Sequence, residues 1–346
     1  MYDYHTAIVF QGGGGLGAYE YGVIKALYEQ RPNFRPAVVT GISIGAINAA
    51  ILVGARKNPL EALEEVWRSR FAQHLPQPAR TLCGPFVTSE VEQYFGAFGN
   101  AGMYQLRPDF LLAPLFSTSI YDTAPLRRTL QELVDPDKLN HPDEIRLVLG
   151  AINVETGQSR YFDNRGDRIE IDHIIASGSI PPAFPATPID GKSYWDGGLF
   201  LNTPLSSAIN CLEQIEGDVR RELIVVELFP MDSPLPRNMW EVTNRLSQLL
   251  FTSKLRIDGK LFDTINKTID FIAKLAPHIP SEFKSDPAYQ DIFVKHKKID
   301  ALTLITANFS PDKGNPGDFS ADTIAYRIKV GYEDARKQDI GVPHAV

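Results

Sequence analysis

Residues 38–52, VVTGISIGAINAAIL, combine a short apolar strand, an abrupt Gly-Ile-Ser-Ile-Gly turn and a helix of small residues. A GxSxG pattern between a strand and a helix is typical of a nucleophile elbow, in which a strained backbone projects a serine hydroxyl clear of the sheet. Gly41 and Gly45 would let the strand and the helix approach closely, and the helix N-terminus would favour negative charge beside Ser43. The pattern predicts that Ser43 is a nucleophile, and the alternative is an ordinary glycine-rich turn.

A glycine run follows the preceding strand, which the residues HTAIVF at 5–10 predict. Residues 12–17 match the GxGxxG fingerprint of dinucleotide sites, but those sites require a carboxylate near the end of the second strand, where this chain has Thr40. Successive backbone N–H groups without side chains are instead what an oxyanion hole requires. We therefore favour an oxyanion hole over a nucleotide site or a plain turn. Its candidate residues are Gly12, Gly13, Gly14, Gly15 and Gly17.

The candidate general base is Asp196, in the stretch SYWDGGLFLNTPL at residues 193–205. The seven histidines lie in no recognisable catalytic setting. A carboxylate followed by Gly197 and Gly198 at the end of a strand can approach another backbone closely and face a pocket. The alternative is a strand that ends in an ordinary Asp-Gly turn. For Asn202, orienting this loop and forming a local turn are equally open.

Composition limits the partners and the compartment. The 346 residues are 43% hydrophobic and 22% charged, and the net charge of −7 gives no electrostatic reason to expect a nucleic acid partner. Cys83 and Cys211 form no CxxC pair and predict free thiols in a reducing compartment. No basic leader and no run of 18 apolar residues occurs, so we expect no signal peptide, no membrane span and a cytoplasmic location. Nothing in the sequence predicts a metal or an organic cofactor.

The order of elements predicts the fold class. Strands alternate with helices, which indicates an α/β fold with three layers, α/β/α, around a mainly parallel sheet. Residues 1–230 form the predicted core domain. Residues 75–125, rich in Pro, Phe and Gly, interrupt it as an irregular, cap-like insertion, which lines an acyl pocket or packs for stability. Residues 231–346 are predicted to be a helical C-terminal extension packed on the core. Asp190-Gly191 predicts a hairpin turn.

An amphipathic helical pattern extends from about residue 239 to residue 275. Its apolar stripe is formed by Leu246, Leu250, Ile257, Leu261, Ile265, Ile269 and Ile272. Basic residues lie opposite the stripe, but Asp258, Asp263 and Asp270 dilute them. We therefore favour packing on the chain's own domain or on a second subunit over contact with a membrane surface.

The three motifs together resemble one family. A glycine-rich loop on the first strand, GISIG on the second and a late DGG occur in the order found in patatin-like phospholipases. The segment ASGSIPPAFPATPIDGKSYWDGG, residues 176–198, is similar to that family's segment before the catalytic aspartate. Residues 318–335, DFSADTIAYRIKVGYEDA, are similar to the C-terminal segment of one bacterial subgroup. The resemblance covers about residues 6–230 well.

The resemblance implies that residues 1–230 are a serine acyl-hydrolase domain of the phospholipase A or lysophospholipase type. Ser43 would be the nucleophile, Asp196 the direct general base, and Gly13 to Gly15 the main oxyanion donors. The implied substrate is a lipid or another acyl ester. Many members carry Arg or Lys where this chain has Leu16, which bears on head-group preference.

Two other functions stay open, an acyltransferase and a non-catalytic lipid-binding protein. The acyltransferases of the related fold usually carry a conspicuous histidine after the elbow, and this chain has none near its proposed pair of residues. Loss of Ser43 or Asp196 would favour the lipid-binding protein, and both are present. A peripheral membrane contact and a homo-oligomer also stay open.

Overall fold

The computed structural model describes residues 4–75, 81, 88–217, 219–252, 255–290 and 294–341. Its strands are β1 (Tyr4–Phe10), β2 (Val38–Ile42), β3 (Gly99–Asn100), β4 (Tyr104–Leu106), β5 (Tyr121–Asp122), β6 (Arg146–Asn153), β7 (Ser159–Asp163), β8 (Thr187–Ile189), β9 (Lys192–Asp196), β10 (Arg220–Glu227) and β11 (Ala301–Thr306).

The helices are numbered in the same way. They are α1 (Gly17–Gln30), α2 (Ile44–Gly54), α3 (Pro59–Glu65), α4 (Thr88–Gly96), α5 (Pro108–Leu112), α6 (Ala124–Leu133), α7 (Pro136–Leu139), α8 (Ile171–Ser177), α9 (Leu205–Glu213), α10 (Met239–Phe251), α11 (Leu255–Leu275), α12 (Ser281–Lys284), α13 (Pro287–Tyr289) and α14 (Ala321–Lys337). Helix α3 continues into a π-helical turn, Val66–Phe71, and short 3₁₀ turns occur at Gly14–Leu16 and Gly197–Leu199. Among the described helices, none combines the length and the apolar character needed to cross a bilayer.

An eight-stranded sheet forms the centre of the molecule. Strands β11, β10, β1, β2 and β6 are parallel in that order, whereas β7, β8 and β9 pair antiparallel beyond them. Ile8 and Phe10 of β1 pack in one apolar cluster with α1 and α2, while Ala7 and Val9 pack with α9 in another. Both faces of β1 are therefore covered, which explains why its sequence is continuously apolar. The prediction of a mainly parallel α/β fold is confirmed.

The C-terminal residues contribute to the sheet as well as to a helical layer. Within the predicted helical extension at 231–346, β11 pairs with β10, so part of this segment is a sheet strand. Helix α14 packs against α1, where Gly22 and Gly331 let the two backbones meet. Tyr19 also bonds across this contact, its hydroxyl donating to Asp334 at 3.2 Å.

The predicted cap-like insertion at 75–125 is more ordered than its sequence indicates. Strands β3, β4 and β5 form a separate antiparallel sheet between α4 and α6. Strands of two or three residues are too short to show an alternating pattern, which is why the sequence reads as irregular. Residues 76–80 and 82–87, including Cys83, lie outside the described residues.

Two shorter predictions have clear outcomes. The hairpin predicted at Asp190-Gly191 is confirmed, because β8 and β9 pair antiparallel around it and both residues have positive φ. In the 239–275 stripe, Leu246, Leu250 and Ile265 are exposed, so these residues do not pack on the chain's own domain, and their packing on a second subunit stays a prediction. The side chains of Ile257 and Leu261 lie outside the described residues.

We expect the substitution Gly331→Ala to destabilise the protein by roughly 1–3 kcal/mol. A Cβ at this position would lie 2.2 Å from the Tyr19 carbonyl oxygen, so the two helices must separate. Helix propensity alone predicts that the substitution raises the free energy of unfolding by about 1 kcal/mol. The sign of the measured change therefore distinguishes the close helix contact from propensity. Urea unfolding measures it, with Gly166→Ala as a control in open space. Unchanged or increased stability of the Gly331 variant would contradict the close contact.

Candidate active site

Ser43 lies at the turn between β2 and α2 with a strained backbone. Its φ of 56° and ψ of −122° lie outside the regions that residues with side chains normally adopt, at an expected cost of about 1–3 kcal/mol. The N–H groups of Ala46 and Ile47 donate to the Ser43 carbonyl oxygen at 3.0 and 3.2 Å. The Ser43 N–H donates to the Ser177 hydroxyl oxygen at 3.0 Å. These bonds hold the turn in its strained conformation.

Close backbone packing explains the glycines of the turn. A Cβ at Gly45 would lie 2.7 Å from the Phe10 carbonyl oxygen, and one at Gly41 would lie 2.4 Å from the Gly45 carbonyl oxygen. Real Cβ atoms do not come so near to backbone oxygens, so neither position has room for a side chain. The start of α2 therefore rests directly on the end of β1, which brings Ser43 next to the glycine loop at residues 12–17.

Strand pairing brings Asp196 to Ser43. On β6, Gly150 pairs with Ile42 of β2 on one edge and with β7 on the other. The next residue, Ala151, pairs with Asp196 of β9 and also with β7. Strand β9 therefore occupies the edge of β6 just beyond the end of β2. Because the two strands run in opposite directions, their ends meet, and the Ser43 side chain lies close enough to the Asp196 carboxylate to lower its pKa.

Burial changes the acidity of Asp196. Its side chain is 2% exposed, and burial raises its pKa from 3.8 to about 7. The nearby Ser43 hydroxyl and the hydrogen bond from the Gly198 N–H, at 2.7 Å, act in the opposite direction. They are weaker than the effect of burial. The carboxyl group therefore titrates near neutral pH.

A three-residue segment that begins at the last residue of α8 contacts both members of this pair. The Ser177 hydroxyl, which accepts from Ser43, donates to the Gly150 carbonyl oxygen at 2.6 Å. Two residues later, the Ser179 carbonyl oxygen accepts from the Asp196 N–H at 3.0 Å. Residues 177–179 therefore fix the backbones of Ser43 and Asp196 relative to each other.

The predicted oxyanion glycines differ in the use of their N–H groups. The N–H of Gly12 donates to the Asn202 carbonyl, that of Gly15 to the Pro316 carbonyl, and that of Gly17 to carbonyls within the loop. Among the described residues, none accepts from the N–H of Gly13 or Gly14, and both residues line the cavity at Ser43. Leu16 is buried in the core.

Two buried amide side chains secure the glycine loop. Gln11 accepts from the Leu228 N–H at 2.6 Å and donates to the Thr203 hydroxyl and to the Phe251 carbonyl, both at 3.0 Å. Asn202 donates to the Gly12 carbonyl and to the same Phe251 carbonyl, both at 2.9 Å. Side-chain amides thus join the ends of β1, β10 and α10 to the loop after Asp196.

The segment at residues 313–318, which accepts from Gly15, is organised by Arg327. This guanidinium is buried, and burial lowers its pKa to about 10. It donates to the carbonyl oxygens of Lys313, Asn315 and Asp318 at 2.7–3.1 Å. A residue of α14 therefore supports the glycine loop through one intervening segment.

A cavity of about 530 Å³ opens at Ser43 and Asp196. Most of its wall is apolar, and the aromatic residues of the wall are Tyr104, Tyr121, Phe184, Phe229, Phe251 and Phe319. Tyr104 and Tyr121 belong to the insertion at 75–125, so this insertion does line the cavity. Among the described wall residues, Asp196 is the sole carboxylate, and there is no Lys, Arg or His. The described residues also contain no group of three or more His, Cys, Asp or Glu placed to hold a metal ion.

The fold and the site define an α/β protein with a serine at a strand-to-helix turn and a buried carboxylate beside it. The family model described as patatin-like phospholipase matches residues 8–209, more than half of the 346 residues. The chain therefore belongs to the patatin-like phospholipase family, and the resemblance inferred from the three motifs is confirmed.

Two further similarities concern individual proteins. Over 177 residues the chain is 27% identical to the cGAMP-activated phospholipase of Vibrio cholerae serotype O1. The match covers 48% of this chain and 43% of that protein, so it spans less than half of the relative. The crystal structure of VipD from Legionella pneumophila is similar with a TM-score of 0.43 and 15% identity, over 97% of this chain and 67% of VipD. A likeness at that TM-score supports no conclusion.

The sequence analysis missed several residues that position the site. Gln11 belongs to no motif that we singled out, and Ser177 and Arg327 lie in segments that carry the family resemblance but were given no role of their own. Ser177 and Gln11 carry a weak signal, because each is a polar residue at the end of an apolar element, in IIAS and in AIVFQ. Arg327 lies in a helix with many charged residues, and nothing in the sequence marks it as the buried one.

We expect Asp196→Asn to stabilise the protein relative to wild type at pH 8 and to lose this advantage near pH 4. The folded pKa of Asp196 is above its unfolded value, so its contribution to stability is complete below pH 4 and is lost as the pH rises through about 7. The full effect is roughly 4 kcal/mol, at about 1.4 kcal/mol per pKa unit. Urea unfolding at pH 4.5, 6 and 8 measures the difference in unfolding free energy.

The matched control for this measurement is Asp312→Asn, because Asp312 is exposed. Its difference from wild type should change little with pH. A difference for Asp196→Asn that stays constant from pH 4.5 to pH 8 would show that the carboxyl group is not destabilised by burial.

Proposed function

We propose that the protein is a serine-dependent lipid acyl hydrolase of the phospholipase A or lysophospholipase type, with Ser43 as nucleophile and Asp196 as general base. The observation that carries this proposal is the placement of the Ser43 side chain beside a buried carboxylate in the wall of an apolar cavity. Membership of the family supports the lipid substrate. The name of the Vibrio relative also supports a phospholipid.

In the proposed first step, the Ser43 hydroxyl oxygen attacks the ester carbonyl carbon and its proton moves to the Asp196 carboxylate. The tetrahedral intermediate then breaks its bond to the alcohol oxygen, and the alcohol leaves with the proton from Asp196. The acyl group stays on Ser43 as an ester. A base with a pKa near 7 suits both transfers better than an ordinary aspartate, because it can accept and return a proton near neutral pH.

The N–H groups of Gly13 and Gly14 are the proposed donors to the oxyanion. Their loop lies against the nucleophile, since a Cβ at Gly12 would be 3.0 Å from the Ser43 Cβ. The N-terminus of α2 begins at Ile44, which also lines the cavity and adds a favourable dipole. Donors held in place before the reaction stabilise the developing charge without reorganisation.

In the second step, Asp196 takes a proton from water as the water oxygen attacks the acyl carbon on Ser43. The second tetrahedral intermediate releases the fatty acid, and the proton returns to the Ser43 oxygen. Each acyl transfer thus ends with the carboxylate and the hydroxyl restored.

The wall of the cavity supports recognition of the acyl chain more than of the head group. Aromatic and aliphatic side chains cover most of it, and the described wall residues include no cation that could pair with a phosphate. Leu16, where many relatives have a basic residue, faces the core. We therefore propose that a phospholipid head group stays outside this cavity while the acyl ester enters.

The first test is hydrolysis of a soluble medium-chain ester by wild type, Ser43→Ala and Asp196→Asn. We expect each substitution to lower kcat/KM by roughly 10³-fold or more, since the two groups act as a unit. Ser206→Ala and Asp143→Asn change exposed residues of the same types and should keep wild-type activity. Folded Ser43 and Asp196 variants that hydrolyse the ester at the wild-type rate would disprove the mechanism.

The second test is the pH dependence of wild-type kcat/KM with an uncharged ester. Asp196 must be ionised to accept the proton, so activity should rise about tenfold per pH unit below pH 7 and level off above it. Rates between pH 5 and 9, with circular dichroism to verify folding at each pH, measure the profile. A rate that stays constant from pH 5 to pH 9 would show that the base is an unperturbed carboxylate or another group.

A further inference from the structure

Three short uncharged segments border the mouth of the cavity. They are YFGAF at residues 94–98, GLFL at 198–201 and LSQLLF at 246–251. Each contributes to the cavity wall, through Gly96 and Ala97, through Gly198, and through Ser247 and Phe251 respectively. Each also exposes large apolar side chains to solvent, among them Tyr94, Phe98, Phe200, Leu246 and Leu250.

We propose that these three segments, the docking rim, bind the surface of a zwitterionic phospholipid bilayer and place the cavity mouth against it. The proposal rests on the proposed function, because it concerns how a water-insoluble ester reaches Ser43. The acyl-hydrolase chemistry alone does not specify what the docking rim binds.

The orientation of α10 is the first argument. A helix on a soluble domain normally buries its apolar face and exposes its polar one. In α10, Asn244 is buried, while Leu246, Leu249 and Leu250 are exposed, Leu250 by 67%. Gln11 and Asn202 both donate to the Phe251 carbonyl, which fixes the end of this helix. The apolar face is therefore held towards the outside.

The position of the rim favours a lipid surface over a second protein. A protein that covered the rim would also close the cavity mouth, whereas a bilayer would supply the substrate there. Moving an acyl chain through water costs about 0.8 kcal/mol per CH₂ group, so direct contact with the bilayer removes a large barrier. Aromatic side chains such as Tyr94 and Phe200, which is 72% exposed, are also typical of membrane interfaces.

The charge of the protein favours a zwitterionic surface. No residue of the three rim segments is acidic or basic, although 22% of the chain is charged. The net charge of −7 opposes long-range attraction to anionic lipids. We therefore expect binding to phosphatidylcholine vesicles that changes little with salt concentration.

The test compares two triple variants in a Ser43→Ala background, so that the vesicles are not hydrolysed. The rim variant carries Phe200→Gln, Leu246→Gln and Leu250→Gln, none of which lines the cavity. The matched control carries Phe271→Gln, Leu275→Gln and Phe283→Gln, which change exposed apolar residues on α11 and α12. Cosedimentation with phosphatidylcholine vesicles should fall at least about tenfold for the rim variant and stay near wild type for the control.

A second measurement uses the same triple variants with Ser43 intact. Hydrolysis of a soluble ester should be unchanged in the rim variant, which verifies its fold and site, while hydrolysis of vesicle phospholipid should fall. If the wild type does not hydrolyse the soluble ester but its vesicle binding depends on the rim, the proposed function fails and the docking proposal stands.

Three outcomes would overturn the docking proposal. The first is failure of the Ser43→Ala protein to bind vesicles. The second is a greater loss of binding in the α11 and α12 control than in the rim variant, which would place the membrane contact elsewhere. The third is a wild-type dimer in sedimentation that becomes monomeric in the rim variant with vesicle binding unchanged, because the rim would then be a subunit interface.

Discussion

One edge of β6 is shared by two strands that run in opposite directions, and the rest of the site depends on this arrangement. Strand β2 pairs along it as far as Gly150, and β9 pairs from Ala151 onward. The residues at the two facing strand ends are Ser43 and Asp196. Their separation is therefore set by backbone hydrogen bonds of the sheet, which is a more rigid reference than two loops would be.

At this strand junction, burial and polar contacts act in opposite directions on the Asp196 carboxylate. Burial destabilises the carboxylate, whereas the nearby Ser43 hydroxyl and the bond from the Gly198 N–H stabilise it and offset part of this effect. Around the pair, the Ser177 hydroxyl, the Gln11 amide and the Asn202 amide nitrogen each form hydrogen bonds to backbone atoms. The site is thus a small polar network within apolar surroundings, and its members fix one another's positions.

Sequence patterns predict the local features of this site and miss its distant supports. The alternation of strands and helices, the turn at Ser43, the glycine loop and Asp196 can be predicted because each depends on residues close together in the chain. The contribution of β11 to the sheet and the packing of α14 on α1 depend on pairings between distant segments, which periodicity does not show. The outward face of α10 was missed because an amphipathic pattern does not specify which way the helix faces.

The hydrogen bond from Gly15 to the Pro316 carbonyl joins the beginning of the domain to its end. During synthesis, the glycine loop emerges long before residues 313–318 and Arg327, which holds that segment. Until then the loop lacks the acceptor that fixes the Gly15 N–H. A nascent chain that already carries Ser43 and Asp196 is therefore without one support of its glycine loop. The complete set of hydrogen bonds at this loop therefore requires synthesis of the chain through Arg327.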